Sequence, residues 1–400
     1  MKRRNIIVLA LILEVLSGCQ AKNTEKVPEQ TPEVTLSVLA ENTETPAGDL
    51  ITKTQQADTV LPATEFEEKI AVTEKMEYVL DAFSNKKHEE CLLYTTPNGK
   101  AAIYNMDTKK TSNSCNLMEK GTIKVHGIKL VFRDEGKFIF FSEGNKGDKI
   151  KYYIHVVDSA LSHVQTYPCE TIFPNAFYPI GYNIFANGDG SKLYYYNFGG
   201  TLLYEYSFAD KKQTVTDMNK IEGMENVSIM NGVVSKDGRY IAFLGGEMNV
   251  EDYMVYGIID LSKMKATIKH TTAGTGYYMH QAGEIMYLTD SQDAESGKVS
   301  GEVICWKFGQ KEPKFIKVDN LESTRACISS DLRYVASASN LAANEPNRGY
   351  KGRVYAYSTG DVVWEKDMQG SLAYIYFIED KVVYVSEQDG NYVIYRYQME

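Results

Sequence analysis

The chain has 400 residues, a formal net charge of -10 and six cysteines, and its 29 Tyr, 15 Phe and 2 Trp all lie at or beyond Phe66. A balance this acidic excludes nucleic-acid binding through bulk positive charge, which needs a basic surface to neutralise phosphates. Only the first segment is apolar enough to enter a bilayer, which excludes a polytopic helical membrane protein.

The chain starts with the basic segment Met1-Lys2-Arg3-Arg4, followed by an unbroken apolar run over residues 6–13. Such a run is too short to span a bilayer and suits the apolar part of a secretory signal peptide. Leu16-Ser17-Gly18-Cys19 comes next, with the acid Glu14 just before it. This segment resembles the lipobox of bacterial lipoproteins. The resemblance implies that Cys19 carries the lipid (palmitate-type acyl chains) and becomes the new N-terminus. It also implies that residues 1–19 are a signal peptide and that the protein sits on the extracytoplasmic face of the cell membrane. Each buried CH₂ contributes roughly 0.8 kcal/mol, so two or more acyl chains give a durable anchor. An ordinary secretory signal is the alternative reading.

Residues 20–65 hold nine Thr, four of the ten Pro and eight acids against three Lys. A segment this polar cannot bury enough apolar surface to offset its ordering entropy, so a disordered tether is expected. With no aromatic residue and a charge of -5, it leaves -7 for residues 66–400.

The remaining residues repeat. Val234-Ser235-Lys236-Asp237-Gly238-Arg239-Tyr240-Ile241-Ala242-Phe243 has a near twin in Ile328-Ser329-Ser330-Asp331-Leu332-Arg333-Tyr334-Val335-Ala336-Ser337. Weaker copies put the turn at Glu89, Gly136, Gly190, Gly283 and Asp380, a period near 48 residues. Asp-Gly and similar pairs supply the positive φ of a two-residue hairpin. A third strand rich in Tyr and Val and a short fourth, such as Asp361-Val362-Val363-Trp364-Glu365, complete most copies. Four strands in about 48 residues make one propeller blade, and seven copies make seven blades over residues 66–400. The last copy lacks its fourth strand, while Glu68-Lys69-Ile70-Ala71-Val72 stands ahead of the first copy as a spare. The expected fold is therefore an all-β, seven-bladed propeller closed by its N-terminal strand, which removes the open edge. A pair of β-sandwiches would not need a fixed period.

The segment from Ser235 to Phe243 looks like the strand–turn–strand signature of TolB-like and related WD-repeat-like bacterial propellers. Val363-Trp364-Glu365 is similar to the end of a WD-type blade. The Gly-His dipeptide of eukaryotic WD repeats is absent. The resemblance implies a binding platform for protein or peptide partners and names no catalytic residue.

In such a wheel the loops between strands two and three share one face with the connections between blades. Long loops are expected at residues 245–253, 289–302 and 339–353. The first two are acidic, with Asp252 and Asp290 among their acids, and the third is basic, with Arg348, Lys351 and Arg353. Together these form a lip suited to a dipolar or peptide partner. Tyr350 lies in the third loop. Phe177 and Tyr178 come from a Pro- and aromatic-rich connection, and Tyr277, Tyr278, His280 and Arg325 enter blades five and six from the same side. These residues, apart from Lys351 and Arg353, are the candidate partner-binding face.

Catalytic patterns are missing. The six His are scattered, and no Cys-x-x-Cys, His-Glu-x-x-His or Gly-x-Ser-x-Gly occurs. Asn187-Gly188-Asp189-Gly190-Ser191 resembles a calcium loop, but Phe198 stands where the bidentate Glu belongs, so it reads as a hairpin turn. No cofactor is expected; residues 290–295 hold the acids a calcium ion would take. The five cysteines other than Cys19 are expected to be thiols, because Cys91 and Cys115 fall on strands with another strand between them. The leading reading is a monomeric, lipid-anchored extracytoplasmic scaffold with a protein or peptide partner and no nucleic acid. The alternatives are a lactonase-like propeller hydrolase, with or without calcium, and a glycan-binding lipoprotein.

Overall fold

The computed structural model describes residues 67–118, 124–174, 184–196, 201–247, 254–271, 276–291, 302–317, 326–340 and 349–399. The signal, lipidation and tether assignments therefore lie outside the described residues. No helix among the described residues is long and apolar enough to cross a membrane.

The strands fall into seven antiparallel four-stranded sheets. Blade one comprises β2 (Tyr78–Ser84), β3 (Glu90–Thr95), β4 (Lys100–Asn105) and β5 (Lys110–Asn116). Blade two comprises β6 (Lys124–Arg133), β7 (Lys137–Lys146), β8 (Lys149–Asp158) and β9 (Val164–Pro168), followed by a single helical turn, α1 (Cys169–Ile172). Blade three is β10 (Ile184–Ala186), β11 (Lys192–Tyr196), β12 (Leu202–Ser207) and β13 (Lys212–Asp217). Blade four is β14 (Val227–Val234), β15 (Tyr240–Glu247), β16 (Met254–Asp260) and β17 (Lys265–His270). Blade five is β18 (Gly276–Ala282), β19 (Ile285–Ser291), β20 (Glu302–Lys307) and β21 (Lys314–Lys317). Blade six is β22 (Ala326–Ile328), β23 (Tyr334–Asn340), β24 (Tyr350–Ala356) and β25 (Val362–Met368). The seventh sheet combines β26 (Ser371–Ile378), β27 (Lys381–Gln388) and β28 (Asn391–Gln398) with the N-terminal β1 (Glu67–Ala71), which pairs with β28 as the outermost strand. The expected seven blades and their N-terminal closure are both present.

Each blade hides both faces against its neighbours, which is why its second strand is apolar throughout rather than alternating. The buried side chains separate into seven clusters, one at each seam between successive blades, including the seam between blades seven and one. Aromatic rings fill much of this space: Tyr194, Tyr195, Tyr196, Tyr256, Tyr355, Tyr384 and Trp306 are nearly inaccessible. Buried phenols need partners, and the Tyr384 hydroxyl lies 3.1 Å from the carbonyl oxygens of both Ser337 and Arg353.

The first turn matches the expected two residues in blades five and seven and is longer in the other blades. Two-residue turns join β18 to β19 and β26 to β27, but five residues separate β14 from β15 and β22 from β23. Side chains explain the extra length. Ser235 Oγ donates to Asp237 (2.6 Å), Asp237 accepts from Arg239 N (3.0 Å), and Tyr240 N donates to Ser235 Oγ (2.8 Å). Ser329, Asp331, Arg333 and Tyr334 repeat the pattern. The fourth turn residue is left-handed, at φ 74° for Gly238 and 63° for Leu332.

A cluster of charges closes the wheel. Arg396 on β28 is 5 % exposed. Its Nη1 donates to Glu90 (2.7 Å) at the start of β3 and to Asp107 (2.8 Å) in the turn before β5, and its Nη2 donates to Glu68 on β1. Lys381 also bonds Glu90, and Lys109 lies 3.1 Å from Glu68. Burial alone would raise the carboxyl pKa values of Glu68 and Asp107. Arg396 outweighs it only together with Lys109 at Glu68 and with the Glu90 amide and Lys381 at Asp107, and the sum holds both below the ordinary range.

Two outcomes follow for stability. Replacing Arg396 by Met leaves Glu90 buried without its main partner and is expected to cost about 3–5 kcal/mol in urea unfolding. The contribution of Glu68 and Asp107 is complete above their unfolded pKa values, near 4, and is lost as pH falls through their lowered folded values. The gap between wild type and Arg396→Met should therefore narrow in acid. Gly238→Ala forces a side chain into φ 74° with its Cβ 3.2 Å from the Tyr194 hydroxyl, and is expected to cost about 1–2 kcal/mol.

Candidate functional site

The first strands of the blades surround the axis: β2 approaches β6 and β26, β6 approaches β10, β10 approaches β14, β14 approaches β18, and β22 approaches β26. Equivalent positions on these strands carry polar side chains. Asp81 sits opposite Leu93, Lys129 opposite Phe141, Asn231 opposite Leu244, Tyr278 opposite Thr289 and Tyr374 opposite Val385. In blades one, four and seven the residue before this position is a bulge, at Leu80, Met230 and Ala373. An extra residue there re-aims the side chain that follows and leaves a backbone amide to satisfy. Asp81 Oδ1 accepts from Ala82 N, and Asn231 Oδ1 from Gly232 N, each at 2.8 Å.

Two side chains of the ring meet the next blade. Arg133 Nε of blade two donates to Asp81 Oδ2 (2.5 Å). Lys129 Nζ lies 3.5 Å from Ile184 O of blade three, and burial pushes its pKa down to about 8. Two residues below Tyr278 on the same side of β18, the His280 ring stacks on Tyr287 with centroids 5.0 Å apart. Its Nε2 lies 3.2 Å from Thr289 Oγ1, and burial pushes its pKa down to about 4, so this imidazole is neutral at physiological pH. Tyr278 is 46 % exposed, and Tyr78, the first residue of β2, is 48 % exposed. Exposed rings on inner strands are a contact surface of low entropy cost.

The candidate residues found by sequence separate accordingly. Tyr278 and His280 come together on the axial wall. Tyr277 faces the other way and is buried in the seam between blades four and five. Tyr350 opens β24 instead of lying in a loop; it is fully buried, with its hydroxyl 2.7 Å from Ser386 Oγ, and presents no surface. Asp290 lies on β19 opposite Tyr277. Cys19, Asp252, Phe177, Tyr178, Arg325 and Arg348 lie outside the described residues, as does most of the acidic segment considered for calcium.

The charged lip also changes. Lys351 and Arg353 are strand residues of β24, not loop residues, and they pair with the next strand: Arg353 with Glu365 at 3.2 Å, and Lys351 with Glu365 and Asp367 at 3.5 Å. Their charge is largely spent within the blade. Asp81, Lys129, Asn231 and Tyr374 were missed. The available signal was positional: Asp81 and Asn231 each stand seven residues before the left-handed residue of their turn, His88 and Gly238, and Arg325 has the same offset from Leu332.

Buried hydroxyl chemistry occurs in blade two, where Ser142 Oγ lies 2.7 Å from His155 Nε2 and Thr166 Oγ1 lies 3.0 Å from Nδ1. Ser142 and His155 are 3 % and 1 % exposed, so this chain of bonds ties β7, β8 and β9 together without meeting substrate. Among the described residues no three His, Cys, Asp or Glu side chains gather as metal ligands, and the five cysteines are free. Burial raises the thiol pKa of Cys91 to about 12 and that of Cys327 to about 11, which leaves both as poor nucleophiles.

No protein-family model matches the chain, and a search of curated proteins finds no match. Among solved structures, the chain is similar to the β-propeller domain of Cps50 (Swd1) from Myceliophteria thermophila, with a TM-score of 0.52 at 8 % identity over 82 % of this chain and 99 % of that one. It is also similar to hydrazine synthase of Kuenenia stuttgartiensis, with a TM-score of 0.51 at 9 % identity over 80 % of this chain and 97 % of that one. At such identities the likeness concerns the fold alone, a WD40-like seven-bladed propeller.

The axial wall makes a testable statement about His280. Its folded pKa lies below its unfolded value, so acid protonates the unfolded state first, and stability falls as pH drops from ~6.5 toward 4. His280→Gln should remove that part of the slope, and the imidazole resonances of the wild type should titrate with a midpoint of about 4. A midpoint near 6.5 would contradict its burial.

Proposed function

We propose that this chain is an extracytoplasmic bacterial lipoprotein, TolB-like in kind, whose propeller is a scaffold for a protein or peptide partner. In this reading Cys19 bears the lipid, residues 20–65 are the tether, and residues 66–400 are the presenting domain. The observation that supports the scaffold part is the polar axial ring with two half-exposed tyrosines, Tyr78 and Tyr278, on a wheel whose blades are otherwise closed against one another; the anchor rests on the sequence around Cys19. A peptide segment inserted at the axis would meet an acid, an amine, an amide and phenols in one circle, a mixture that matches backbone amides and short polar side chains. The rings would supply the apolar contact.

The two halves are tested separately. Cys19→Ala should shift the protein from the membrane fraction to the soluble fraction and abolish incorporation of an alkynyl palmitate analogue; retention with label would overturn the anchor. In-cell crosslinking followed by purification identifies the partner. Tyr78→Ala with Tyr278→Ala should then lower its capture at least about tenfold while urea unfolding stays unchanged, as expected for hot-spot rings on a surface. Undiminished capture would remove the axis as the binding site.

A further inference from the structure

A cleft separate from the axis lies on blade one, where the chain crosses from β1 to β2. It encloses about 580 Å³, within the size range of small-molecule sites. Its origin is in the sequence of the outermost strand. β5 reads Lys-Thr-Ser-Asn-Ser-Cys-Asn, and β4 offers Ala102 opposite Ser114. Small side chains at these places do not fill the space that larger residues would occupy. The ladder also slips between Ile103 and Tyr104, leaving Ser112 bulged.

The lining is mixed, with polar groups beside Pro97 and Ala102. Tyr94 and Ala102 form the floor, and Thr111 and Ser114 form one wall. Thr111 Oγ1 is 2.8 Å from the Tyr94 hydroxyl and donates to Glu74 at 3.4 Å. Asn98 and Ser114 make no side-chain hydrogen bond with other described residues, so their groups are open to a ligand. Lys75 and Lys100 complete the lining, and neither has an ion-pair partner among the described residues. The Glu74 carboxylate accepts from Thr111 and Thr73 and keeps its charge, so with Lys75 and Lys100 the cleft carries a net positive charge.

Hydroxyl and amide groups both donate and accept, which matches the vicinal hydroxyls of a sugar, while two free ammonium groups call for an anion. We propose that this cleft binds a small anionic saccharide, a sugar ring carrying a carboxylate or a phosphate. The site stands independently of the scaffold reading: it uses neither the axis nor the N-terminal anchor.

The test is calorimetric titration of the full chain with glucuronate, glucose 6-phosphate, glucose and inorganic phosphate. At least one of the anionic sugars should bind at least tenfold more tightly than either glucose or inorganic phosphate. Whichever of glucuronate and glucose 6-phosphate binds identifies the anion. Lys75→Gln with Lys100→Gln should weaken that binding at least tenfold; both side chains are exposed, so the fold should tolerate them. Ser114→Tyr, which fills the wall, is a second route to the same loss. Failure of both anionic sugars to bind in the millimolar range, equal binding of glucose or of inorganic phosphate, or binding unchanged in the lysine double variant would each overturn the proposal.

Discussion

The wheel depends on the burial of Arg396. A propeller is a ring made from a linear chain, so at one seam the last residues must hold the first. Here the seam is held by a guanidinium whose three carboxylate partners lie 289, 306 and 328 residues away in the chain. Removing such a charge from water costs several kcal/mol, which pairing with several carboxylates offsets. Glu68 ties the N-terminal strand to β28, while Glu90 and Asp107 tie blade seven to blade one. Without β1, the backbone edge of β28 would be free to pair with another chain. Because these contacts are the most distant in sequence, the ring cannot be completed until the whole chain is made, which places closure late in folding.

The other six seams rely mainly on apolar surface, with single ion pairs such as Arg133–Asp81 beside it. Tyr suits them because one ring can span the gap between sheets while its hydroxyl reaches a backbone carbonyl, as Tyr384 of blade seven does with Ser337 O of blade six at 3.1 Å. Turns interlock across blades as well: a Cβ on Gly188 would lie 2.4 Å from the backbone of Lys236 in the next turn. Packing this close fixes the inner strands, and the bulges in β2, β14 and β26 are what turn polar side chains toward the axis without opening the seams. The axial ring is thus a product of closure, not an addition to it.

Much of the architecture was legible because it rests on spacing. The period, the four strands per copy, the spare strand at Glu68 and the missing strand at the end all follow from counting. The length of the turn was not legible: Ser235 and Asp237 look compatible with a two-residue hairpin, and their side-chain bonds, which allow five residues, exist only once both strands are in place. The basic side of the charged lip changed for a related reason. Whether Lys351 and Arg353 lie in a loop or a strand depends on whether β25 offers Glu365 and Asp367 alongside, and sequence distance does not reveal that register. Tyr350 looked like a loop aromatic for the same reason and proved to be a core one.

Local chemistry in the chain set the strand alternation, the left-handed turn positions, the number of blades and the surplus strand that closes them, since each depends on residues a few positions apart or on a regular count. Which side chains share the axis was settled by folding. Asp81, Lys129, Asn231, Tyr278 and Tyr374 become one ring only when five blades stand around a common centre, and a bulge of one residue decides whether Asp81, Asn231 and Tyr374 face that centre or a seam. The same holds for the blade-one cleft. Its small side chains are visible in the sequence of β5, but the space they leave exists only because the segment between β1 and β2 passes over them to close the wheel.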